Sequence, residues 1–285
     1  MPVYQITYNT RNQYSSKVRD AVLEFTVFPA NLDNQRVENL EFTFEPNSTY
    51  YTGQNFFGFN FLRFRLKDIG DSFSFNLRAN VFKAETNPFD FHPIPWKKES
   101  AILESDEYLI DNYLFLSTSD ATRLPEGYLF PRRETEETTF NFVQRVNRFI
   151  HEEIEYDNRV IDPHRLLTET LTEKRGVCQD LAHMMAAILR RNKIPTRYVS
   201  GYLNQGSDAI GAGAVHAWIE ALIPGVGWIG FDPTNNLLED HHYIKIAHGQ
   251  DISDCTTLKG IIKGAGYNQT SYEVLVQEQN IECNQ

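Results

Sequence analysis

Residues 176–203 read Gly-Val-Cys-Gln-Asp-Leu-Ala-His-Met-Met-Ala-Ala-Ile-Leu-Arg-Arg-Asn-Lys-Ile-Pro-Thr-Arg-Tyr-Val-Ser-Gly-Tyr-Leu, and this stretch decides the fold. Leu181, Met185, Ile188 and Leu189 recur on one stripe, which predicts a helix that opens near Cys178 and must end before Pro195. The β-branched and aromatic run Thr196–Leu203 then predicts a strand. A loop containing Gly206, Gly211 and Gly213 follows. Segments 214–222 and 228–231 flank Ile223-Pro-Gly-Val-Gly227 and read as a β-hairpin. Residues 242–248 and 272–276 alternate again and are expected to finish the same sheet. Upstream, Phe142, Val143, Val146, Phe149, Ile150 and Ile154 predict a further helix, with Glu134, Glu136 and Glu137 at its start, where carboxylates favour the positive dipole end. Helices followed by antiparallel strands make this half α+β.

The first 120 or so residues read differently. Phe73, Phe75, Leu77, Ala79 and Val81 alternate with Ser74, Asn76, Arg78 and Asn80, the period-2 pattern of a half-buried strand. Tyr4, Ile6 and Tyr8 alternate likewise, as do Leu23, Phe25 and Val27, and 57–64 is aromatic enough for another strand. Turn-rich stretches at 29–34 and 67–71 separate them. Many short strands predict an antiparallel β-sandwich, with the aromatic stripe as core. Composition changes at the Pro- and Gly-containing stretch 124–133, so the expected division is a β-rich region over 1–130 and an α+β region over 131–285.

Composition limits the function. The chain has 285 residues, enough for roughly two domains, and its net charge is −11, which repels nucleic-acid phosphates and anionic lipid. Neither an 18-residue apolar run nor a basic-then-apolar leader is present in these residues, so no membrane role is expected. Three sparse cysteines, Cys178, Cys255 and Cys283, suit free thiols in a reducing, cytoplasmic setting better than a disulfide framework.

Three positions carry chemistry. Cys178 follows a glycine at a helix start, where exposed N–H groups and the helix dipole favour a thiolate and can stabilise an oxyanion. His216 lies on the first hairpin strand and Asp232 ends the second, within about two residues of the position across from it. A carboxylate there can hold one ring nitrogen and leave the other to face a thiol, the arrangement a cysteine nucleophile needs. Each residue alone has an ordinary structural explanation: a core thiol, a half-buried histidine, a turn aspartate before Pro233. His183 is expected to orient its helix or pack on the sheet, and Cys255 and Cys283 to be structural thiols. Trp218 and Trp228 can equally wall a groove or fill the core. No metal or other cofactor is expected. His241, His242 and His248 with Glu239 and Asp240 lack HExxH or paired CxxC spacing, and adjacent histidines on a strand point to opposite faces.

The segments Arg175-Gly-Val-Cys-Gln-Asp-Leu-Ala-His183, Ile194-Pro-Thr-Arg-Tyr-Val-Ser-Gly-Tyr202, His216-Ala-Trp218 and Gly227-Trp-Ile-Gly-Phe-Asp-Pro-Thr-Asn235 together resemble the core of the transglutaminase-like superfamily, in its bacterial branch with an N-terminal β-domain. The stretch 128–135 is similar to the junction of that branch. The resemblance implies a papain-like fold, with Cys178 as nucleophile, His216 as base and Asp232 as its orienter. It implies a cysteine-dependent acyl-transfer enzyme acting on a protein or peptide substrate, with hydrolysis favoured over amine transfer. The rival from another class is a non-catalytic scaffold that binds a partner through the β-domain.

Overall fold

The computed structural model describes residues 1–279 except 161, 163, 164, 205–208 and 265, with only the backbone at 69. In chain order the elements are β1 (Val3–Phe25), β2 (Gln35–Glu45), β3 (Thr49–Gln54), β4 (Asn60–Lys83), α1 (Trp96–Glu104), α2 (Asp106–Asp111), α3 (Tyr113–Leu116), α4 (Thr139–Glu153), β5 (Glu155–Tyr156), α5 (Leu167–Glu173), β6 (Arg175–Gly176), α6 (Cys178–Arg191), β7 (Thr196–Leu203), β8 (His216–Ile223), β9 (Gly227–Asp232), β10 (Leu237–Leu238), β11 (Tyr243–Gly249), α7 (Ile252–Cys255), β12 (Leu258–Lys263) and β13 (Asn268–Gln279). The architecture is α+β: a large antiparallel N-terminal sheet and a helix-backed five-stranded sheet ordered β10-β9-β8-β7-β11.

The first sheet is built on two very long strands. β1 and β4 pair from Val3↔Phe82 to Phe25↔Leu62, with register breaks between Gln13 and Asp20. Residues 67–71, read as a turn, lie inside β4 as a bend, with Asp68 and Gly70 at φ 49° and 78°. The bend folds the sheet onto itself. Phe75 is thirteen positions beyond the residue opposite Phe25, about 43 Å in a straight strand. Yet the Phe25 and Phe75 rings stack at 4.5 Å between centroids. Phe44 of β2 likewise meets Phe64, with ring centres 4.7 Å apart. The expected two-layered β-structure is therefore one half-barrel sheet, and the alternating residues 73–81 point into it, buried.

Two expectations need correction. Residues 96–116 form three short helices rather than strands. The Glu99 carboxylate of α1 accepts from Thr139 N–H at 2.7 Å, so the acid at the start of α4 comes from a distant helix. Of the three glutamates expected there, Glu137 turns back to Arg145 instead. Second, residues 272–276 do not finish the five-stranded sheet. β13 pairs with the first half of β1 and β12 with the second, so the last strands of the 131–285 region hydrogen-bond to the first sheet. Alternation shows that one face of a strand is buried, but not which sheet buries it.

The two sheets are stitched together. Gln35 of β2 donates to Ala30 O and Lys245 O, both at 2.8 Å, and accepts from Lys245 N–H at 2.9 Å. Tyr202 of β7 donates to Val27 O at 2.6 Å. α6 packs its apolar stripe on Ala217, Ile219 and Ala221 of β8, which fixes the helix start at one end of that strand.

Candidate active site

Cys178 opens α6, and the chain before it explains why the helix starts there. Asp180 Oδ2 accepts the Val177 N–H at 2.9 Å, satisfying a donor that would otherwise be free at the helix entry. That fold-back leaves no room at residue 176: a Cβ on Gly176 would stand 2.8 Å from the Asp180 Cβ. Burial raises the Asp180 pKa to about 6 against the pull of the Val177 N–H. Cys178 itself is half-buried, and Gln179 beside it donates to Asp162 O at 2.6 Å.

His216 begins β8 and Asp232 ends β9. The register Ile219↔Phe231 puts Asp232 two residues from the position opposite His216. His216 Nε2 and Asp232 Oδ2 are 2.8 Å apart, and both side chains are fully buried. The carboxylate is held on every side. Its Oδ2 also accepts from Tyr243 Oη–H at 2.9 Å and from Asn235 Nδ2 at 2.8 Å, and its Oδ1 from the Thr234 N–H at 2.9 Å. Burial alone would push this acid up, but the His216 charge and these donors outweigh it and hold Asp232 below the usual carboxylate range. Burial likewise disfavours the imidazolium, yet Asp232 and then Cys178 raise His216 above its ordinary value. With Nε2 committed to Asp232, the remaining nitrogen, Nδ1, has no hydrogen-bond partner among the described residues, and Cys178 lies close enough for its charge to help raise the ring's pKa.

Cys178 and His216 line a cavity of about 210 Å³ with Gln179, Tyr198, Ser200 and Cys255. Tyr8 of β1 and Tyr272 of β13 close it from the first sheet. The hydroxyl of Tyr272 is pushed up first by burial and then by the Cys178 charge. Neither tyrosine stands in a motif, and only the return of β13 to β1 brings Tyr272 to this wall.

Of the other sequence candidates, Cys255 shares the cavity with Cys178 and the rest fall elsewhere. His183 is buried against Tyr198, accepts from the Ile252 N–H at 3.2 Å and is lowered by burial to about 4, so it packs as a neutral ring. Cys255 is buried, and burial pushes its thiol up. Cys283 and Gly206 lie outside the described residues. Trp218 is core, donating to Glu239 at 3.0 Å, and Trp228 lies under the Arg197 guanidinium at 3.7 Å, so neither walls the thiol's cavity. His241 and His242 sit in a turn rather than a strand, with ring centres 4.1 Å apart, so the opposite-faces objection fails for them. Their ligand atoms and that of Asp240 lie within 4.8 Å of one another, and His242 Nδ1 is 3.0 Å from Asp240 Oδ1. Among the described residues, no helix is long and apolar enough to cross a membrane.

Comparison with known proteins gives a family and a fold. Residues 130–233 match the family model described as Transglutaminase-like superfamily, and residues 4–81 match Bacterial transglutaminase-like N-terminal region. An uncharacterized protein of Mycobacterium leprae is 38% identical over 134 residues, covering 46% of this chain and 47% of the relative. A "Protein-glutamine gamma-glutamyltransferase" of Pseudomonas aeruginosa is 39% identical over 69 residues, covering 21% of this chain and 10% of that protein. The chain thus spans at most about half the length of these curated relatives. The crystal structure of a "Putative Cysteine Protease" from Cytophaga hutchinsonii superposes over 99% of this chain and 92% of its own, with TM-score 0.77 and 21% identity, which establishes a shared fold.

Proposed function

This chain belongs to the transglutaminase-like superfamily, and from that premise we propose that it is a cysteine-dependent acyl-transfer enzyme with Cys178, His216 and Asp232 as its triad. One observation carries the proposal. The buried His216 is fixed to Asp232 through Nε2, its Nδ1 is left without a hydrogen-bond partner among the described residues, and it lines one cavity together with a thiol at a helix start.

The Cys178 thiolate attacks the carbonyl carbon of a peptide or side-chain amide. The resulting oxyanion meets the Cys178 and Gln179 N–H groups at the start of α6, since those of Asp180 and Leu181 already donate to Val177 O. His216, held protonated by Asp232, gives its proton to the leaving nitrogen as the C–N bond breaks and a thioester forms. Neutral His216 then takes a proton from water, which attacks the thioester and releases the acid and the thiol. Water is the ordinary acceptor in this reading, and the free thiols suit a reducing, cytoplasmic setting. A second reading, transfer to an amine, is supported by the partial match to the Pseudomonas aeruginosa protein.

The test is intact-mass and peptide mass spectrometry after incubation with a peptide-amide library, with and without added amine. A thioester on Cys178 and a product gaining the elements of water are expected. Amine-linked products at the expense of acid would favour the second reading. Iodoacetamide at mildly acidic pH should also label Cys178 well before the buried Cys255. Equal labelling, with no thioester, would remove the nucleophile and leave the scaffold reading.

A further inference from the structure

The amide of Asn235 makes three hydrogen bonds, and they face two different parts of the site. Its Oδ1 accepts from the Ile210 N–H at 3.0 Å, and its Nδ2 donates to Ile210 O at 3.0 Å. The same Nδ2 donates to Asp232 Oδ2 at 2.8 Å. One side chain therefore pairs with the backbone of residue 210 as a neighbouring strand would, while gripping the carboxylate behind His216.

What Ile210 carries with it is Gly211, and Gly211 lies against the imidazole. A Cβ on Gly211 would stand 2.4 Å from His216 Nδ1 and 2.7 Å from Cγ. The residue adopts φ 103°, a backbone region that side chains avoid. Only glycine combines that turn with that approach. The 209–215 segment is thus a strap across the side of His216 that Asp232 does not hold, and Ala214 N–H closes its turn on Gly211 O at 3.3 Å.

We propose that Asn235 is a positioning residue that fastens this strap over His216 and aligns Asp232 behind it, so that the base is oriented only while the strap is seated. The inference rests on the acyl-transfer reading of Cys178, His216 and Asp232. Asn235 acts through two partners and touches neither the thiol nor a substrate. The other ionisable groups facing this corner are Tyr243 on β11, with Glu239 and Asp240 near its hydroxyl, Cys178 on α6, and His151 of α4, whose Nδ1 is 3.0 Å from Thr234 O.

The experiment uses the full chain as wild type, Asn235→Ala, Asn235→Asp and Gly211→Ala. Two readouts are taken together: hydrogen exchange over 209–215, and the rate of Cys178 alkylation by iodoacetamide from pH 5 to 9. In Asn235→Ala the strap should lose protection and Cys178 should react about tenfold more slowly at pH 6, with the far-ultraviolet spectrum unchanged. In Asn235→Asp a second carboxylate faces Asp232, and like charges at that separation favour holding one proton between them. Its alkylation should be slow at pH 7 and recover toward wild type near pH 5, where the protonated acid can again donate. A His151→Gln background should preserve that recovery. Gly211→Ala should slow alkylation at every pH, because the intruding Cβ displaces the ring.

If the strap is released while alkylation and its pH profile match wild type, Asn235 only anchors a loop and the proposal is overturned. Unchanged exchange and unchanged alkylation in both Asn235 variants would overturn it as well. Failure of the underlying reading looks different: wild-type Cys178 would then react no faster than Cys255 at pH 6.

Discussion

The half-barrel and the five-stranded sheet bury their strands for different reasons. Inside the first, Leu62, Phe64, Leu66, Phe73, Phe75, Leu77 and Val81 of β4 are all inaccessible, while charged pairs such as Asp20–Arg65 stay outside. The second sheet buries charge. Lys245 donates to Glu220 at 2.6 Å, Arg197 stands 3.5 Å from the same carboxylate, and Lys83 reaches across from β4 to within 3.8 Å of Glu239. His216 and Asp232 continue that pattern at the end of the sheet. Apolar burial is non-directional and tolerates substitutions of similar volume. A buried charge is tolerated only beside its own partner. The first sheet should therefore yield gradually to substitution, and the second abruptly.

The largest expected effect follows from removing one partner of a buried pair. Lys245→Met keeps the length and apolar stem but strips Glu220 of its nearest cation. Breaking a buried pair costs about 3–5 kcal/mol, and Arg197, 3.5 Å from the same carboxylate, should hold the loss to the lower end of that range. Urea unfolding should show the free energy in water falling by that amount, as a lower midpoint at constant slope. The double variant Lys245→Met with Glu220→Gln should regain a good part of it, and a loss under 1 kcal/mol in the single variant would erase the contrast between the sheets.

Next comes Asp232→Asn, which preserves shape and removes the charge behind His216. The comparable change in serine enzymes costs on the order of 10⁴ in turnover. A thiolate needs less continuous help from its base, so a loss of about 10²-fold, or about 2.7 kcal/mol, is expected. It should fall on kcat with KM little changed, since the substrate's ground-state contacts are untouched. A raised KM with kcat spared would make Asp232 a substrate contact and leave a Cys–His dyad.

In the first sheet, Phe75→Leu should cost only about 1–2 kcal/mol, because neighbouring rings can close part of the space. Cys178 alkylation should be unchanged at temperatures where the protein stays folded. A loss as large as that of Lys245→Met would show that the fold-over of the sheet depends on the Phe25–Phe75 stack itself.

Much of this contrast could be read from the chain before any coordinates, and its gaps have physical causes. Periodicity marked 196–203 as a strand and 73–81 as a one-face-buried strand, because each pattern is local. The two-residue offset between His216 and Asp232 could be counted from the hairpin loop. What escaped were choices made between distant segments. Lys67-Asp-Ile-Gly-Asp71 has the composition of a turn, and only its pairing with β1 shows a bend in a continuous strand. The alternation of 272–276 could not say which sheet it joins, so Tyr272 was not expected at the cavity. Asn235 stands inside a recognised motif, but its partner Ile210 is 25 residues upstream in a stretch with no periodic signal.

The smallest expected effect tests the other end of the comparison, a charge pair outside the core of the second sheet. Asp157 accepts from the Arg159 guanidinium at 2.8 and 2.9 Å and lies 3.6 Å from Arg175. The Arg159 hydrogen bonds, with the Arg175 charge, lower its pKa from 3.8 to about 2. Because the folded value lies below the unfolded one, the pair's contribution is complete above about pH 4. It fades as pH falls through 2, where the folded carboxylate takes its proton. Asp157→Asn should therefore leave thermal stability between pH 6 and 8 lower by a small, constant amount. The difference from wild type should shrink between pH 4 and 2. Arg159 is largely exposed, so its charge is screened by water and salt, and the difference should also narrow in 0.5 M sodium chloride. The backbone explains why the loss stays small: the Asp157 N–H donates to Gly176 O at 2.9 Å, a bond the substitution keeps, so the approach to Cys178 holds its course without the carboxylate. A drop comparable to that of Lys245→Met, or one that persists unchanged at pH 2, would mean that Asp157 is held by more than its exposed arginine.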